Sequence, residues 1–399
     1  MTRALHGQPS WLPGPVGRVV SGRMHRWVAA WLRDRARKAM IVRPPGERHV
    51  LVAVCDHFEP RHGGATHEVA LARVRRWRER YPALASRFRD SDGRPPRHTF
   101  FFPGEEYDPA PFEPLAEMVE AGLGEIEVHL HHDGDTRSSL REKLERTLAA
   151  FAAHDVVPRR SRRPAWAFIH GNWALANGRP DGRWCGVDDE LSLLHELGCY
   201  ADFTFPSAPD PSQPAVVNRI YYPPDDARRR AYDFVDRHRA GDAAPPRRDR
   251  VLLVQGPLAI ARREAQGRGP GSRREAHRVS SLRIDAGALD AGDPPTAARL
   301  GTWIDQFVHV DGRPEWTFVK LHTHGAPEAS ASMLLGPPME AFHEALAALA
   351  SQEPWRVHYV TAREMFNVAR AAMDGMLGSP AAYFDYETPP AARARRQPT

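Results

Sequence analysis

Short apolar runs of strand length alternate with amphipathic helical stretches along most of this chain, and that alternation leaves few architectures open. Strands are expected at His49 to Cys55, Arg97 to Phe102, Glu125 to His131, Ala165 to His170, Tyr200 to Phe205, Val251 to Gln255, Trp316 to Leu321 and Trp355 to Val360. Between them lie helical patterns. Thr66 to Phe88 carries Val69, Val74, Trp77 and Leu84 at helical spacing. Asp108 followed by Pro109 is a helix start, and Gly198 ends a helix running from Asp188 to Leu197. Further helices are expected at Thr136 to Ala153, Thr296 to His309 and Met339 to Ser351, and Thr361 with Glu364 forms a capping box that opens a last one.

Strand–helix repeats with short links imply parallel strands joined by helical crossovers. Seven or eight such units favour a closed β/α barrel over an open sheet. The expected layout is a basic amphipathic helix and linker over 1–45, the barrel over 46–375 and a tail over 376–399, disordered from Pro389. The stretch 206–295 is an elaboration of the barrel. It is proline-rich at first, helical over Ala227 to Arg239, linker-like over Gly241 to Arg250, a loop over Arg262 to Arg274 and a hairpin over Arg278 to Leu289.

Composition narrows the function classes. Net charge is +5, and the basic side chains are almost all arginine, with Lys38, Lys143 and Lys320 the only lysines. The arginines are spread along the chain among acidic residues and form no compact nucleic-acid motif, so nucleic acid is not an expected partner. The glycines from Gly267 to Gly271 lack the preceding strand and the Lys-Ser/Thr of a phosphate loop. Cys55, Cys185 and Cys199 are odd in number and far apart, which points to a reducing, cytoplasmic setting. No apolar run reaches the roughly 18 residues of a membrane span. Within 23–40, Trp27, Val28, Trp31 and Leu32 share one face among arginines. That face suits peripheral contact with an anionic membrane, or packing on the chain's own domain.

Barrel sites form at the carboxyl ends of strands, and polar residues collect there. The densest group is His129-Leu130-His131-His132-Asp133. With period 2, His129 and His131 point to one face, and His132 and Asp133 follow at the strand end. Imidazole and carboxylate are the usual ligands of zinc and similar divalent ions. Asp56 and His57 follow the first strand, His170, Asn172 and Trp173 the fourth, Asp202 lies in the fifth, and His322 and His324 follow a late one. Asp56, His129 and one of Asp133 or His131 would leave a metal with an open position. Asp56 or His57 would serve as base and His322 as acid, with His324 orienting it or holding substrate. His170, Asn172, Trp173 and Asp202 would bind a sugar. Glu59, Glu105, Glu106 and Asp108 read as solvated or capping rim carboxylates. Asp56 with Asp202 is the one visible pair for a glycosidase.

In the order of its motifs the chain resembles the polysaccharide deacetylase (NodB-homology) family of the glycoside hydrolase/deacetylase superfamily, over roughly Val50 to Ala371. Cys55-Asp56-His57 stands where that family has an Asp-Asp pair, and His129 with Asp133 where it has His-x-x-x-His. Val319-Lys-Leu-His322 matches the late apolar run ending in Leu-His, whose histidine is the family's general acid. The resemblance implies a β/α barrel, often distorted and seven-stranded, a divalent metal with zinc first, and removal of acetyl groups from a sugar. With a cytoplasmic setting the substrate would be a small or lipid-linked acetylated carbohydrate. A noncatalytic relative that binds a glycan or partner is the third reading, after the glycosidase.

Overall fold

The structure is a computed structural model, which describes residues 24–224, 228–236, 239–240, 249–262 and 282–396. The expected loop over Arg262 to Arg274 beyond Arg262 itself, the glycines Gly267 to Gly271, most of the linker over Gly241 to Arg250 and the first residues of the proposed hairpin lie outside them. The strands are β1 (Arg48–His57), β2 (His98–Pro103), β3 (Gly124–Leu130), β4 (Arg159–Arg160), β5 (Arg163–Pro164), β6 (Trp166–His170), β7 (Cys199–Asp202), β8 (Ile220–Tyr221), β9 (Leu252–Val254), β10 (Ala259–Arg262), β11 (Leu282–Asp285), β12 (Trp316–Thr323) and β13 (Trp355–Tyr359). The helices are α1 (Met24–Ala39), α2 (His67–Ala85), α3 (Pro109–Glu120), α4 (Arg137–Ala152), α5 (Glu190–Glu196), α6 (Ala297–Asp305), α7 (Glu328–Leu334), α8 (Pro337–Ala350) and α9 (Ala362–Met373).

Nine strands form one sheet in the order β12-β1-β2-β3-β6-β7-β9-β8, with β13 also on β1. Every pairing in it is parallel except β8 with β9. Strand β1 is long enough to hold two partners on one edge: β13 along Arg48–Val52 and β2 along Val54–His57. The expected ring is not closed by strand pairing among the described residues. The outer edge of β12 is taken instead by the segment Gly287–Leu289, through His322 N to Gly287 O (3.0 Å) and Leu289 N to His322 O (2.8 Å). Gly256, just past β9, lies against the Lys320 carbonyl, where a Cβ would come within 2.4 Å. The end of β9 therefore approaches β12 without strand pairing among the described residues.

Both faces of the sheet are buried, as parallel sheets require. Val50, Val52 and Val54 of β1 enter one core with Trp77, Phe100 and Phe112, while Leu51, Ala53 and Cys55 enter a second with Phe101, Ile169 and Phe318. Helix α9, buried along its whole length, covers that second core.

The caps stand where local chemistry puts them. Thr66 accepts from Val69 N, Asp108 from Ala110 N and Thr136 from Ser139 N, and Thr361 with Glu364 makes the capping box of α9. Two elements depart from expectation. The stretch Ala227 to Arg239 shows only a short 3₁₀ turn at Ala231–Asp233 among its described residues. The C-terminal segment is docked rather than disordered up to Arg396. Asn367 Nδ2 donates to Phe384 O (2.6 Å) and Thr388 O (2.8 Å), and Arg393 pairs with Glu113 (2.6 Å) and Glu120 (3.1 Å).

Helix α1 lays Trp27, Val28 and Trp31 on the domain and leaves Leu32 exposed. Trp27 is buried with Val217 and Leu258, and Trp31 Nε1 donates to Gln306 Oε1 (2.9 Å). The buried Lys38 ammonium pairs with Asp34 and donates to Asn218 O (3.0 Å) and Gln306 O (2.7 Å). Among the described residues no helix is long and apolar enough to cross a membrane.

Candidate metal centre

Parallel strands bring their carboxyl ends to one edge of the sheet. Register sets Cys55 opposite His322, Asp56 opposite Thr323 and Leu130 opposite His170. Beyond β1 the chain turns at Glu59, where His62 N donates to Glu59 O (3.0 Å). Arg73 of α2 pins this turn by donating to Pro60 O (2.9 Å) and His62 O (3.0 Å), and its fork is held by Glu328.

The turn places the Glu59 carboxylate at the centre of a ring of histidines. Glu59 Oε1 lies 3.1 Å from His129 Nε2, 3.6 Å from His131 Nε2 and 3.8 Å from His324 Nε2. Glu59 Oε2 is 2.6 Å from His62 Nδ1. The His57 ring sits 4.7 Å from that of His129 and 4.9 Å from that of His324. Two overlapping donor triplets share Glu59: His57–Glu59–His324 and Glu59–His129–His131, each with its ligand atoms within 4.8 Å of one another. Ligands about 2.0–2.2 Å from a tetrahedral zinc stand roughly 3.4 Å apart. The separations around Glu59 Oε1 match that spacing.

The donors are oriented for the task. His131 Nδ1 is bonded to Glu105 (2.6 Å), which leaves Nε2 to face Glu59; carboxylates commonly fix metal-binding histidines in this way. Gly171 makes room for that ring, since a Cβ there would fall 2.4 Å from His131 Cδ2. The floor is buried, being made of His57, His129 and Glu59, whereas the side chains of His131, His62 and His324 are 33%, 33% and 36% exposed and form the open side. His57 Nδ1, His129 Nδ1 and His322 Nδ1 are buried without a hydrogen-bond partner among the described residues.

Electrostatics follows burial and contact. Burial pushes His57 well below the usual histidine range, aided by His129 and His324, and it lowers His324 too. Burial alone would raise the Glu59 carboxyl, yet hydrogen bonds from His129 and His62 hold it well below its ordinary value, so it is an anion. Its hydrogen bond to His62 raises that imidazole. His131 is raised despite burial because it faces Glu105.

Of the residues expected at the site, His57, His129, His131 and His324 come together here. His322 lies behind, its ring 6.3 Å from that of His57, and burial pushes it well below the usual range. Asp56 is not among the grouped donors. Its oxygens are taken by His98 Nε2 (2.8 Å) and Gly325 N (2.6 Å), so it positions the loop that carries His324. Asp133 is exposed and turned to Trp184 N (2.5 Å), because the chain bends away after His132. Asp202 is buried on Thr204, and burial raises its carboxyl to about 7.

The expected sugar subsite does not assemble at this opening. His170 is fully buried and faces Glu190, Asn172 donates to His132 O (3.4 Å), and Trp173 is half-buried in a left-handed conformation. His132 turns to the opposite face from His129 and joins His170, Cys185 and Glu190 in a separate buried donor group.

Sequence reasoning placed Glu59 on the rim, gave Cys185 and Glu190 no role and passed over His62. For Glu59 a signal existed: His57 and Glu59 share a face at period 2, as His129 and His131 do. Gly325 is the tightest point of the loop, for a Cβ there would lie 2.0 Å from Asp56 Oδ2 and 2.8 Å from Trp77 Cζ2. A Gly325→Ala chain is expected to lose about 1–3 kcal/mol of stability to overpacking. Urea unfolding measures the effect. A wild-type unfolding free energy would show that the loop yields freely.

No protein-family model matches the chain, and no curated protein matches it.

Proposed function

We propose that this protein is a metal-dependent hydrolase, a divergent relative of the polysaccharide deacetylases, that removes an acetyl group from a small or lipid-linked acetylated sugar. One observation carries the reading: a buried glutamate at the strand ends, ringed by histidine nitrogens at metal-ligand spacing and open to solvent on one side. The sugar and the acetyl group come from the motif resemblance, and the closed barrel from the run of strand–helix units.

Glu59, His129 and His131 would hold a divalent ion, zinc by the nitrogen-rich donors, with His57 and an unligated His324 on its other flank. Such an ion lowers the pKa of a water to about 7 and polarises an acyl carbonyl. Glu105 keeps the His131 proton on Nδ1. His324, half-exposed and lowered by burial, is neutral at pH 7 and placed to take the proton of an attacking water. As the bond from water oxygen to acyl carbon forms and the C–N or C–O bond breaks, the same imidazole returns the proton to the departing amine or alcohol. His62 adjusts the charge of Glu59 from the rim.

The glycosidase reading finds no support in its carboxylates, because Asp56 and Asp202 are both buried and already hydrogen-bonded. The test is acetate release from acetylated mono- and oligosaccharides by untagged, zinc-loaded protein. Release is expected from wild type and should be lost in His129→Ala. Metal bound without release from any acetylated sugar would reject the activity and favour a binding protein.

A further inference from the structure

The second donor group serves none of the roles above, and the inference drawn from it is independent of them. We propose that His132, His170, Cys185 and Glu190 form a closed structural zinc site that ties the segment between β6 and α5 to the sheet. All four side chains are buried, and their donor atoms lie within 4.8 Å of one another. His132 Nε2 is 3.1 Å and His170 Nε2 3.9 Å from Glu190 Oε1, and Cys185 Sγ is 3.3 Å from Glu190 Oε2.

Donor chemistry selects the ion. One thiolate, one carboxylate and two neutral imidazoles carry two negative charges, which balance a divalent cation and leave a buried site neutral. Sulfur together with nitrogen favours zinc over magnesium or calcium. The absence of an exposed donor marks a closed structural site rather than an open catalytic one. Asp135 lies 3.2 Å from His132 Nδ1 and would fix that ring as carboxylates do behind zinc histidines.

Two observations outside the donor geometry point the same way. His170 Nε2 is a buried polar atom without a hydrogen-bond partner among the described residues, and it faces Glu190. The long segment 171–189 contains no helix or strand, and Trp173, Ala176, Asn177 and Trp184 within it adopt left-handed conformations. It nevertheless buries Ala174, Leu175, Cys185 and Val187. Loops of this length without helix or strand are uncommon in a compact domain, and a metal anchored on two strand ends would tie this one down.

Some hydrogen bonds compete with the ion. Asn172 N donates to His170 Nδ1 (3.2 Å), Ala176 N donates to Glu190 Oε2 (2.7 Å) and the Cys185 thiol donates to Glu190. Loading displaces the thiol proton and the proton through which His132 Nε2 bonds Glu190, and it moves the His170 proton from Nε2 to Nδ1, so the Asn172 contact must rearrange.

Cobalt separates this site from the candidate catalytic centre, which contains no sulfur. Untagged full-length protein reconstituted with cobalt is expected to hold about two ions per chain. It should also show thiolate-to-cobalt charge-transfer absorption in the near ultraviolet. Glu59→Gln should keep that absorption, while Cys185→Ser should lose it along with one ion and keep acetate release. No thiolate band in the wild type would overturn the site even if the variant fails to fold. A band that persists in Cys185→Ser would also overturn it, by assigning the sulfur to Cys55 or Cys199.

Discussion

A Glu59→Gln chain is expected to lose the metal of the candidate centre and all acetate release while keeping its fold. The amide preserves the shape of the side chain but removes the charge that His62, His129, His131 and His324 face. Loss of an outer partner of a metal ligand weakens binding by about 10–100-fold, so loss of the central ligand should exceed about 100-fold. Glu105→Gln, which disturbs only the orientation of His131, should fall within the smaller range. Metal affinity by competition with a chelator and backbone circular dichroism together measure the effect. Wild-type affinity in Glu59→Gln would reject the centre as drawn.

The largest stability effect is expected far from that site, at Glu364→Gln. Burial would raise this carboxyl, but Arg97, Arg94 and Arg363 hold it down to about 2. Arg94 bonds it at 2.6 Å, Arg97 pairs with the same oxygen, and Thr361 N donates to the other oxygen at 2.9 Å. Glutamine can retain the cap on Thr361 yet leaves Arg94 and Arg97 half-buried and short of a counter-charge. Removing one member of a buried ion network costs about 3–5 kcal/mol, and urea unfolding should show a loss of that size.

The linkage to pH has a definite sign. A carboxyl whose folded pKa lies below its unfolded value stabilises the fold above the ordinary carboxylate range. That contribution is lost as pH falls from there toward about 2. The variant should therefore lose less stability than wild type across this acid window. An unchanged unfolding free energy at neutral pH would mean that the arginines find other partners.

Much of the fold was legible because its signals are local. A threonine or aspartate one residue before a helical pattern, as at Thr66, Asp108, Thr136 and Thr361, satisfies nearby backbone donors whatever surrounds it. Strand periodicity also put His129 and His131 on one face, where their rings lie 4.6 Å apart. The short β8, which pairs antiparallel with β9, carried no such pattern, and neither did the docking of the last residues through Asn367 and Arg393.

The sequence by itself determined which residues arrive at the strand ends, because alternation, caps and parallel crossovers are set within a few residues or by the order of elements. Tertiary structure alone decided how they are grouped. It divided His129-Leu130-His131-His132 between two donor groups, turned Asp133 out to Trp184 and Asp56 toward Gly325, and drew Glu59 inward. It also brought Cys185 and Glu190 across a long irregular segment to His132 and His170. The physical reason is that a side chain in a loop points where distant backbone and counter-charges leave room and partners. Contacts such as Arg73 on the Glu59 turn, or Glu190 opposite His132, join residues too far apart in sequence for any local pattern to record.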